Sequence, residues 1–386
     1  MPRKIAMPKK INVGIIGYGF MGRAHSNGYR QVGKFFNTGV EPVLKAACGR
    51  NREATESFAR NWGWEDVETD WRRLVERKDI DLVDICSPNN THGEIALAAA
   101  AAGKMIACEK PLAMDGAEAR KMTEAVKKAG VPNMVWYNYR RVPAITLARK
   151  IIAEGRLGKI FHFRSAFLQD WTISADVPMI WRLNKDIAGS GVAGDLISHL
   201  FDTARYLIGD VAAVSALTKV FVDERDYEDP ETGKTSKRKI EIDDACLVLA
   251  EFSNGAVGTF EATRYARGHK AVNFFEVNGE TGSVIFDLED MAHLKFFDHS
   301  DPKHVQGFRN ILVTSAEHPY MEKWWVPGLA IGYEHTFTHQ LADFFEALVN
   351  GKKFSPDFEE ATKCQLILDA IGDAASTRTR VEVSSF

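Results

Sequence analysis

The first third of the chain alternates short, continuous apolar runs with stretches of helical periodicity. KINVGIIG (Lys10–Gly17) reads as a strand and Met21–Gly33 as a helix; VLKAACG (Val43–Gly49) is a second strand, followed by a helix over Arg52–Asn61. DLVDICSP (Asp81–Pro88) and KMIACEKP (Lys104–Pro111) are further strands, separated by the helix HGEIALAAAAAG. Gly116–Gly130 then forms a helix before a last strand, Pro132–Asn138. Strands that are apolar throughout, rather than at alternate positions, are buried on both faces, as in a parallel sheet covered by helices. Right-handed crossovers then predict a doubly wound Rossmann domain over residues 1–140.

After residue 141 the texture changes. A helix (Pro143–Glu154) leads to IFHFRSAFLQDW, a glycine-rich run and AGDLISHLFD. Between Val211 and Val313 many β runs follow, divided by turn signals such as SNG and GETG. This predicts a second, α+β domain over residues 141–386 with a large, mostly antiparallel open sheet. Asp223–Lys239 reads as an exposed, charged hairpin insertion, and helical patterns over Glu334–Val349 and Phe358–Ser376 close the chain.

The length of 386 residues suits two domains, and 45% hydrophobic with 26% charged residues is the balance of a soluble globular protein. A net charge of −3 gives no reason to expect nucleic acid or an anionic membrane as partner. Cys48, Cys86, Cys108, Cys246 and Cys364 lack CxxC spacing and read as buried free thiols. MPRKIAMPKK is basic without the apolar segment of a secretory signal, so a frayed tail and a cytoplasmic location are expected, with Met7 open as an alternative start.

Gly17-x-Gly19-x-x-Gly22 directly follows a strand and opens a helix, the context of a dinucleotide fingerprint. Gly17 would make the tight turn, Gly19 admit the pyrophosphate and Gly22 let helix and strand pack closely, with Tyr18, Phe20 and Met21 completing the loop. At the end of the second strand, where NAD sites place an acid for the ribose 2′-hydroxyl, stand Gly49 and Arg50. Loss of that carboxylate leans the expectation toward NADP, with Arg50 as phosphate partner.

CSPNNTHGE puts Ser87, Pro88, Asn89, Thr91 and His92 after a strand's carboxyl end, either lining the nicotinamide ribose or forming a capped turn, since Thr91 and Glu94 also fit a capping box. ACEKPLA places Glu109 and Lys110 after the next strand. Asp195 and His199, four apart, would share one face of a helix. The pair alone does not distinguish acid–base machinery from a solvated face.

Together GIIGYGFMGRAHSNGY, DICSPNNTHGEIALAAAAAGKMIACEKPLA, VWYNYRRVPA and WRLNKDIAGSGVAGDLISHLFDTARYLIG resemble the glucose–fructose oxidoreductase / inositol dehydrogenase / MocA-like oxidoreductases over nearly the whole chain. The resemblance implies a catalytic trio of Lys110, Asp195 and His199, and a homo-oligomer (dimer or tetramer) built through the C-terminal sheet. His199 suits the base that takes a hydroxyl proton, Lys110 the cation that steadies developing alkoxide, and Asp195 an orienting or relaying group. Glu109, Asn138, Trp181 and Arg182 join the cofactor side.

FLQDW, NYRR and the late aromatic stretch HPYMEKWWVPGLAIGYEH look most like the levoglucosan- and inositol-dehydrogenase-like subgroup. Its substrates are cyclic polyols and pyranosides, for which Tyr139, Arg140, Gln169, Asp170, Trp171 and Arg182 would supply polar partners and an apolar platform, with Trp181 and Tyr333 as further candidates. That subgroup's pattern carries an acid at the position of Gly49, a departure that bears on cofactor choice. Trp324–Trp325 reads better as a packing anchor. Competing readings are an NAD-retaining glycosidase using transient oxidation and a non-catalytic NAD(P)-binding regulator. No metal is expected: His25, His92, the group His293, His299 and His304, and the pair His335/His339 show no ligand set, and satisfied or surface histidines are the reading.

Overall fold

A computed structural model describes residues 9–229 and 232–386, so the N-terminal tail with Met7 and the tip of the charged insertion lie outside the described residues. The chain divides into two compact units: residues 9–113, 117–141 and 331–361, and residues 114–116, 142–330 and 362–386. A boundary falls between residues 141 and 142, next to the expected break, and residues 331–361 also group with the first unit. The helix of 335–349 and the residues after it return to the first unit, where Gln340 Nε2 donates to the Val135 carbonyl (2.8 Å) and the Val135 N–H to that of Pro356 (3.0 Å). Long-range backbone satisfaction of this kind leaves no local sequence signal.

In the first unit, β1 (Lys9–Ile16), β2 (Val40–Cys48), β3 (Asp66–Glu68), β4 (Leu82–Ile85), β5 (Met105–Cys108) and β6 (Asn133–Val135) form one parallel sheet in the order 3-2-1-4-5-6. This is the strand order of a dinucleotide-binding Rossmann sheet, with its switch point between β1 and β4. Ile11, Val13, Ile15, Leu82, Val83, Ile85, Ile106 and Ala107 are all fully buried, which explains their unbroken apolar runs. The helices are α1 (Phe20–Phe35), α2 (Arg52–Trp62), α3 (Trp71–Glu76), α4 (His92–Ala101) and α5 (Gly116–Ala129). β3 and α3 escape sequence periodicity because three and six residues are too few to display a period.

The second unit carries α6 (Pro143–Ala153), α7 (Lys185–Ala188), α8 (Ser198–Ile208) and a nine-stranded sheet. Its strands β7 (Ile160–Leu168), β8 (Val211–Lys219), β11 (Ala245–Phe252), β12 (Val257–Thr263), β13 (Val272–Gly279), β14 (Gly282–Asp287), β15 (His293–Asp298), β16 (Arg309–Leu312) and β17 (Val381–Glu382) pair antiparallel, except the parallel β7–β12 pair. Phe163, Phe260, Phe275 and Phe201 stack on the covered face. β9 (Glu224–Glu228) and β10 (Thr235–Lys239) make the expected hairpin, its inner edge anchored by buried Arg225 on the carbonyls of Thr172, Ser174 and Val177. α9 (His335–Val349) packs in the first unit, and the chain's last long helix is α10 (Phe358–Thr377). All five cysteines are free and four are buried, as their apolar settings imply. Among the described residues no helix is long and apolar enough to cross a membrane.

Candidate active site

The glycine loop sits at the switch point. Gly17 has φ +110°, and a Cβ there would lie 2.7 Å from the Cys86 carbonyl, so the turn after β1 closes against the residue that follows β4. A Cβ on Gly22 would come 2.4 Å from the Gly17 carbonyl oxygen. Around Gly19, by contrast, a Cβ would meet nothing within 4 Å, and this residue caps α1 without a side-chain hydrogen bond. Two glycines are thus demanded by the protein's own packing, while the third leaves open space before bare helix N–H groups. Such an arrangement fits a dinucleotide pyrophosphate.

β2 ends at Cys48, whose carbonyl accepts the Gly17 N–H (2.9 Å), so Gly49 does stand at the end of the second strand. The Tyr18 ring covers it: a Cβ on Gly49 would lie 2.2 Å from Tyr18 and 2.8 Å from Thr55 Oγ1. Arg50 is exposed and makes no hydrogen bond or ion pair among the described residues, and Asn51 is engaged as the cap of α2.

After β4, Thr91 does not form the capping box. Its hydroxyl meets Ser87 Oγ (2.6 Å) and the Pro88 carbonyl (2.7 Å), and Glu94 pairs with Arg72 instead. His92 lies behind this loop rather than on its open side. Its ring is fully buried, Nε2 is 3.0 Å from the Ser87 carbonyl and Nδ1 3.0 Å from that of Pro111. Burial pushes its pKa down. Contact with a cofactor is thereby corrected to a structural clamp between the turns after β4 and β5.

Lys110 follows β5, the strand next to β4, and precedes a cis bond to Pro111. Its backbone N–H donates to Glu109 Oε2 (3.0 Å), and Glu109 Oε1 meets His25 Nε2 (3.0 Å). His25 Nδ1 faces Asp84 (3.0 Å), and Trp136 Nε1 donates to the same carboxylate (2.9 Å). Despite the cost of burial, the two carboxylates hold the His25 pKa up at about 9. His25, Asp84 and Cys86 also place ligand-type atoms within 4.8 Å of one another, but the imidazole already spends both nitrogens on carboxylates. Sequence reading took His25 as one satisfied histidine among several; its partners lie 59 and 84 residues away, beyond any local pattern.

Other first-unit expectations divide. Tyr139 and Tyr333 approach each other (ring centroids 6.0 Å), and Tyr333 stacks on exposed Phe20 (6.3 Å), forming an aromatic surface beside the glycine loop. Asn138 donates to Thr336 (2.9 Å) in the interior. Arg140 is only 2% exposed, with Nη1 on Ser355 Oγ (3.1 Å), so its expected substrate contact is corrected to an internal anchor. His339 is buried against the Arg141 carbonyl (2.9 Å), and burial depresses its pKa to about 3.

In the second unit, Asp195 does not lie on an α-helix. Ala193–Ile197 form a turn of π-helix that runs into α8, so the assumed i,i+4 face is replaced by a wider turn. Single π turns often occur at functional sites because they re-aim one side chain. Half-buried Asp243 holds the entry to this turn, accepting from the N–H groups of Gly191 (2.8 Å) and Ala193 (2.7 Å). A Cβ on Gly191 would overlap the Asp243 backbone. Asp195 accepts from Arg264 Nη2 (2.6 Å), a guanidinium 1% exposed whose Nε and Nη1 have no partner among the described residues. Neither Asp243 nor Arg264 was visible as a site residue, because their partners lie 50 to 69 positions away along the chain. His199 is buried beside Phe167.

Arg264 also lies 5.1 Å from the centre of the half-exposed Trp171 ring, whose Nε1 donates to Gln169 (2.8 Å). Gln169, Trp171, Arg264 and Asp195 therefore form one connected group. Asp170 turns to Lys270 (2.8 Å), which lowers its pKa, and Arg182 stacks on Trp181 (4.3 Å). Trp324 is buried, in keeping with an anchor, while Trp325 is half exposed.

The chain is similar to known proteins along nearly its whole length. Residues 11–138 match the model of the oxidoreductase family with NAD-binding Rossmann fold, and residues 145–285 the GFO/IDH/MocA C-terminal domain. Levoglucosan dehydrogenase of Pseudarthrobacter phenanthrenivorans is 41% identical over 385 residues, covering 97% of this chain and 98% of that protein. A levoglucosan dehydrogenase structure in complex with NADH and levoglucosan superposes with a TM-score of 0.93 at 42% identity, covering 98% of this chain and all of the other. An oxidoreductase domain protein from Kribbella flavida gives the same TM-score at 44% identity and the same coverage. The chain belongs to the GFO/IDH/MocA oxidoreductase family.

Proposed function

We propose that the protein is a nicotinamide-dependent dehydrogenase that oxidises a secondary alcohol of a cyclic polyol or pyranoside, levoglucosan-like or inositol-like. The carrying observation is the open glycine cradle at the β1/β4 switch point with Lys110 following the adjacent strand, on the carboxyl-end rim where such sheets bind ligands. The bound nicotinamide supplies the hydride acceptor. Gly17, Gly19, Gly22 and the Ser87–Thr91 turn hold the cofactor, and Phe20 offers it an exposed ring.

Lys110 donates to the substrate oxygen and steadies the negative charge that grows as the hydroxyl proton leaves. His199 accepts that proton, since an imidazole titrates near neutral pH. Asp195, held by Arg264, fixes a substrate hydroxyl or the His199 ring. Gln169 and Trp171 give the ring substrate a polar edge and an apolar platform. The levoglucosan dehydrogenase relative was solved with NADH, whereas Gly49 and exposed Arg50 favour tolerance of a 2′-phosphate; we therefore expect NADP to be accepted as well as NAD.

The outer face of the second unit's sheet carries exposed Leu217, Leu247, Leu249 and Val257, with Leu247 directly opposite Leu217. A contiguous apolar stripe on an uncovered sheet face supports a homo-oligomer.

The test is nicotinamide absorbance with NAD⁺ and NADP⁺ in parallel against levoglucosan, glucose, simple glucosides and inositols. Reduction with any of these sugars or polyols supports the reading. Silence across the panel with cofactor bound would overturn it, and turnover of a glucoside without net reduction would identify a cofactor-retaining glycosidase.

A further inference from the structure

A fully buried cation lies beneath the candidate site, and no role in hydride transfer requires it directly. His25 leaves the glycine loop three residues after Gly22 and is 0% exposed. Each of its ring nitrogens faces a carboxylate: Nδ1 that of Asp84 at 3.0 Å, Nε2 that of Glu109 at 3.0 Å. A neutral imidazole carries one N–H and one lone pair, and a lone pair facing a carboxylate is repulsive. Between two carboxylates the imidazolium, with an N–H at each nitrogen, satisfies both contacts, and Cys86 Sγ also lies 3.0 Å from Nδ1.

The ring is gripped on its faces as well. Trp136 stacks on it at 4.0 Å while donating to Asp84, and Phe337 closes the other approach at 5.4 Å. Tyr29 and Cys86 also face Asp84, and Cys108 lies beside Glu109; burial pushes all three of these groups' pKa values up, so they stay neutral. The cluster is therefore Asp84, His25 and Glu109, with Lys110 next along the chain. Glu109 is its outermost member, and its second oxygen accepts the Lys110 backbone N–H.

We propose that His25 is a positioning residue for Lys110: by binding Glu109 Oε1 it fixes the carboxylate whose Oε2 holds the Lys110 main chain, and so couples the glycine-loop helix to the catalytic lysine. The inference rests on the reading of Lys110 given under Proposed function. A cluster that served stability alone could be disrupted with loss of melting temperature and little loss of kcat in the surviving fold. A positioning cluster loses kcat at temperatures where the variant is still folded.

His25→Gln keeps the shape approximately and removes the cation; Glu109→Gln keeps His25 and weakens the grip on Lys110. Both are expected to lower kcat about 10²-fold while leaving cofactor affinity within about threefold, and the double variant to lose little more than either single one. Independently of any substrate, reductive ¹³C-methylation reads the Lys110 amine, assigned by its absence in Lys110→Ala. Its ¹³C-methyl chemical shift is expected to move in His25→Gln. Wild-type kcat in folded His25→Gln, or an unmoved Lys110 methyl shift, overturns the inference. If no sugar or polyol is oxidised, the functional reading fails while the Lys110 signal still decides this one. Should His25→Gln not fold, ring NMR of the wild type decides instead: an imidazole neutral at pH 7.5 refutes the coupling, and an imidazolium there with an altered Lys110 methyl shift in Glu109→Gln sustains it.

Discussion

The two units hold their candidate catalytic groups in opposite ways. In the first, charge is sealed inside: His25, Asp84 and Glu109 are buried, His92 clamps two turns from behind, and what reaches the rim is backbone and Lys110. In the second, the acid itself is presented. The Asp195 side chain is 26% exposed, while the groups that aim it, Arg264 and Asp243, lie behind it. On the proposed reading, the first design fixes a loop for a large cofactor met through main-chain groups, and the second fixes a single carboxylate for a small, polar partner. Changes in the two places should therefore fail differently.

The sharpest break is at the groups assigned to proton and charge. His199→Ala and Lys110→Ala should each lower kcat by about 10³-fold or more, with cofactor affinity measured by fluorescence titration nearly unchanged. Normal turnover in either would remove the mechanism. One step down is Arg264→Met, which strips the buried cation from Asp195. About 10²-fold in kcat/KM should be lost, with the cofactor Kd intact, because the change lies in the second unit. Arg264→Lys should recover only part of it, since an ammonium cannot reproduce the planar fork. If Arg264→Met weakened cofactor binding and spared the sugar KM, the division of labour between the units would be wrong.

How much of this was legible follows the range of the interactions. Parallel strands buried on both faces announce themselves in unbroken runs such as Lys10–Gly17, and Gly17-x-Gly19-x-x-Gly22 carries its own reason, a turn that tolerates no Cβ at Gly17 or Gly22. The bounds of α1, α2, α5, α6, α9 and α10 fall within a residue or two of their sequence periodicity. What stayed hidden acts across the chain. Arg140 looks like a sugar ligand until its bond to Ser355, 215 positions on, draws it inward. His25 looks isolated until the sheet brings Asp84 and Glu109 to it. The π turn at Ala193–Ile197 is invisible because AGDLI is equally compatible with an α-helix; Asp243 and the Gly191 contact impose it from another segment.

Buried charge also makes the first unit sensitive to pH on both sides. The folded-state pKa of His25 is raised to about 9, so its contribution to stability is complete below the unfolded value of 6.5 and is lost as pH rises through 9. His339 is the reverse case. Burial lowers its pKa to about 3, so its contribution is complete above 6.5 and fades as pH falls toward 3. Thermal melts across pH 4 to 10 should therefore peak near neutrality. His25→Gln should flatten the alkaline slope and leave the acid slope, and His339→Gln the converse. An alkaline slope that persists in His25→Gln would show that another group titrates there.

The smallest expected effect lies at the cofactor's far end and tests how much one glycine decides. Replacing Gly49 with aspartate alone is not the clean swap that its strand-end position suggests, because the new Cβ would land 2.2 Å from the Tyr18 ring. The single variant Gly49→Asp should therefore weaken both NAD and NADP binding as Tyr18 is displaced. Pairing it with Tyr18→Ala clears the ring and lets a carboxylate occupy the strand end. The double variant should then shift the NAD/NADP preference toward NAD by about tenfold, since a carboxylate repels a 2′-phosphate and bonds a 2′-hydroxyl. Arg50→Ala should move the ratio in the same direction by lowering NADP affinity alone. Kd values for both cofactors in the four proteins separate the two contributions. If Arg50→Ala leaves the ratio where it was, the exposed guanidinium is not a phosphate ligand, and cofactor choice at this position rests on the Tyr18–Gly49 contact.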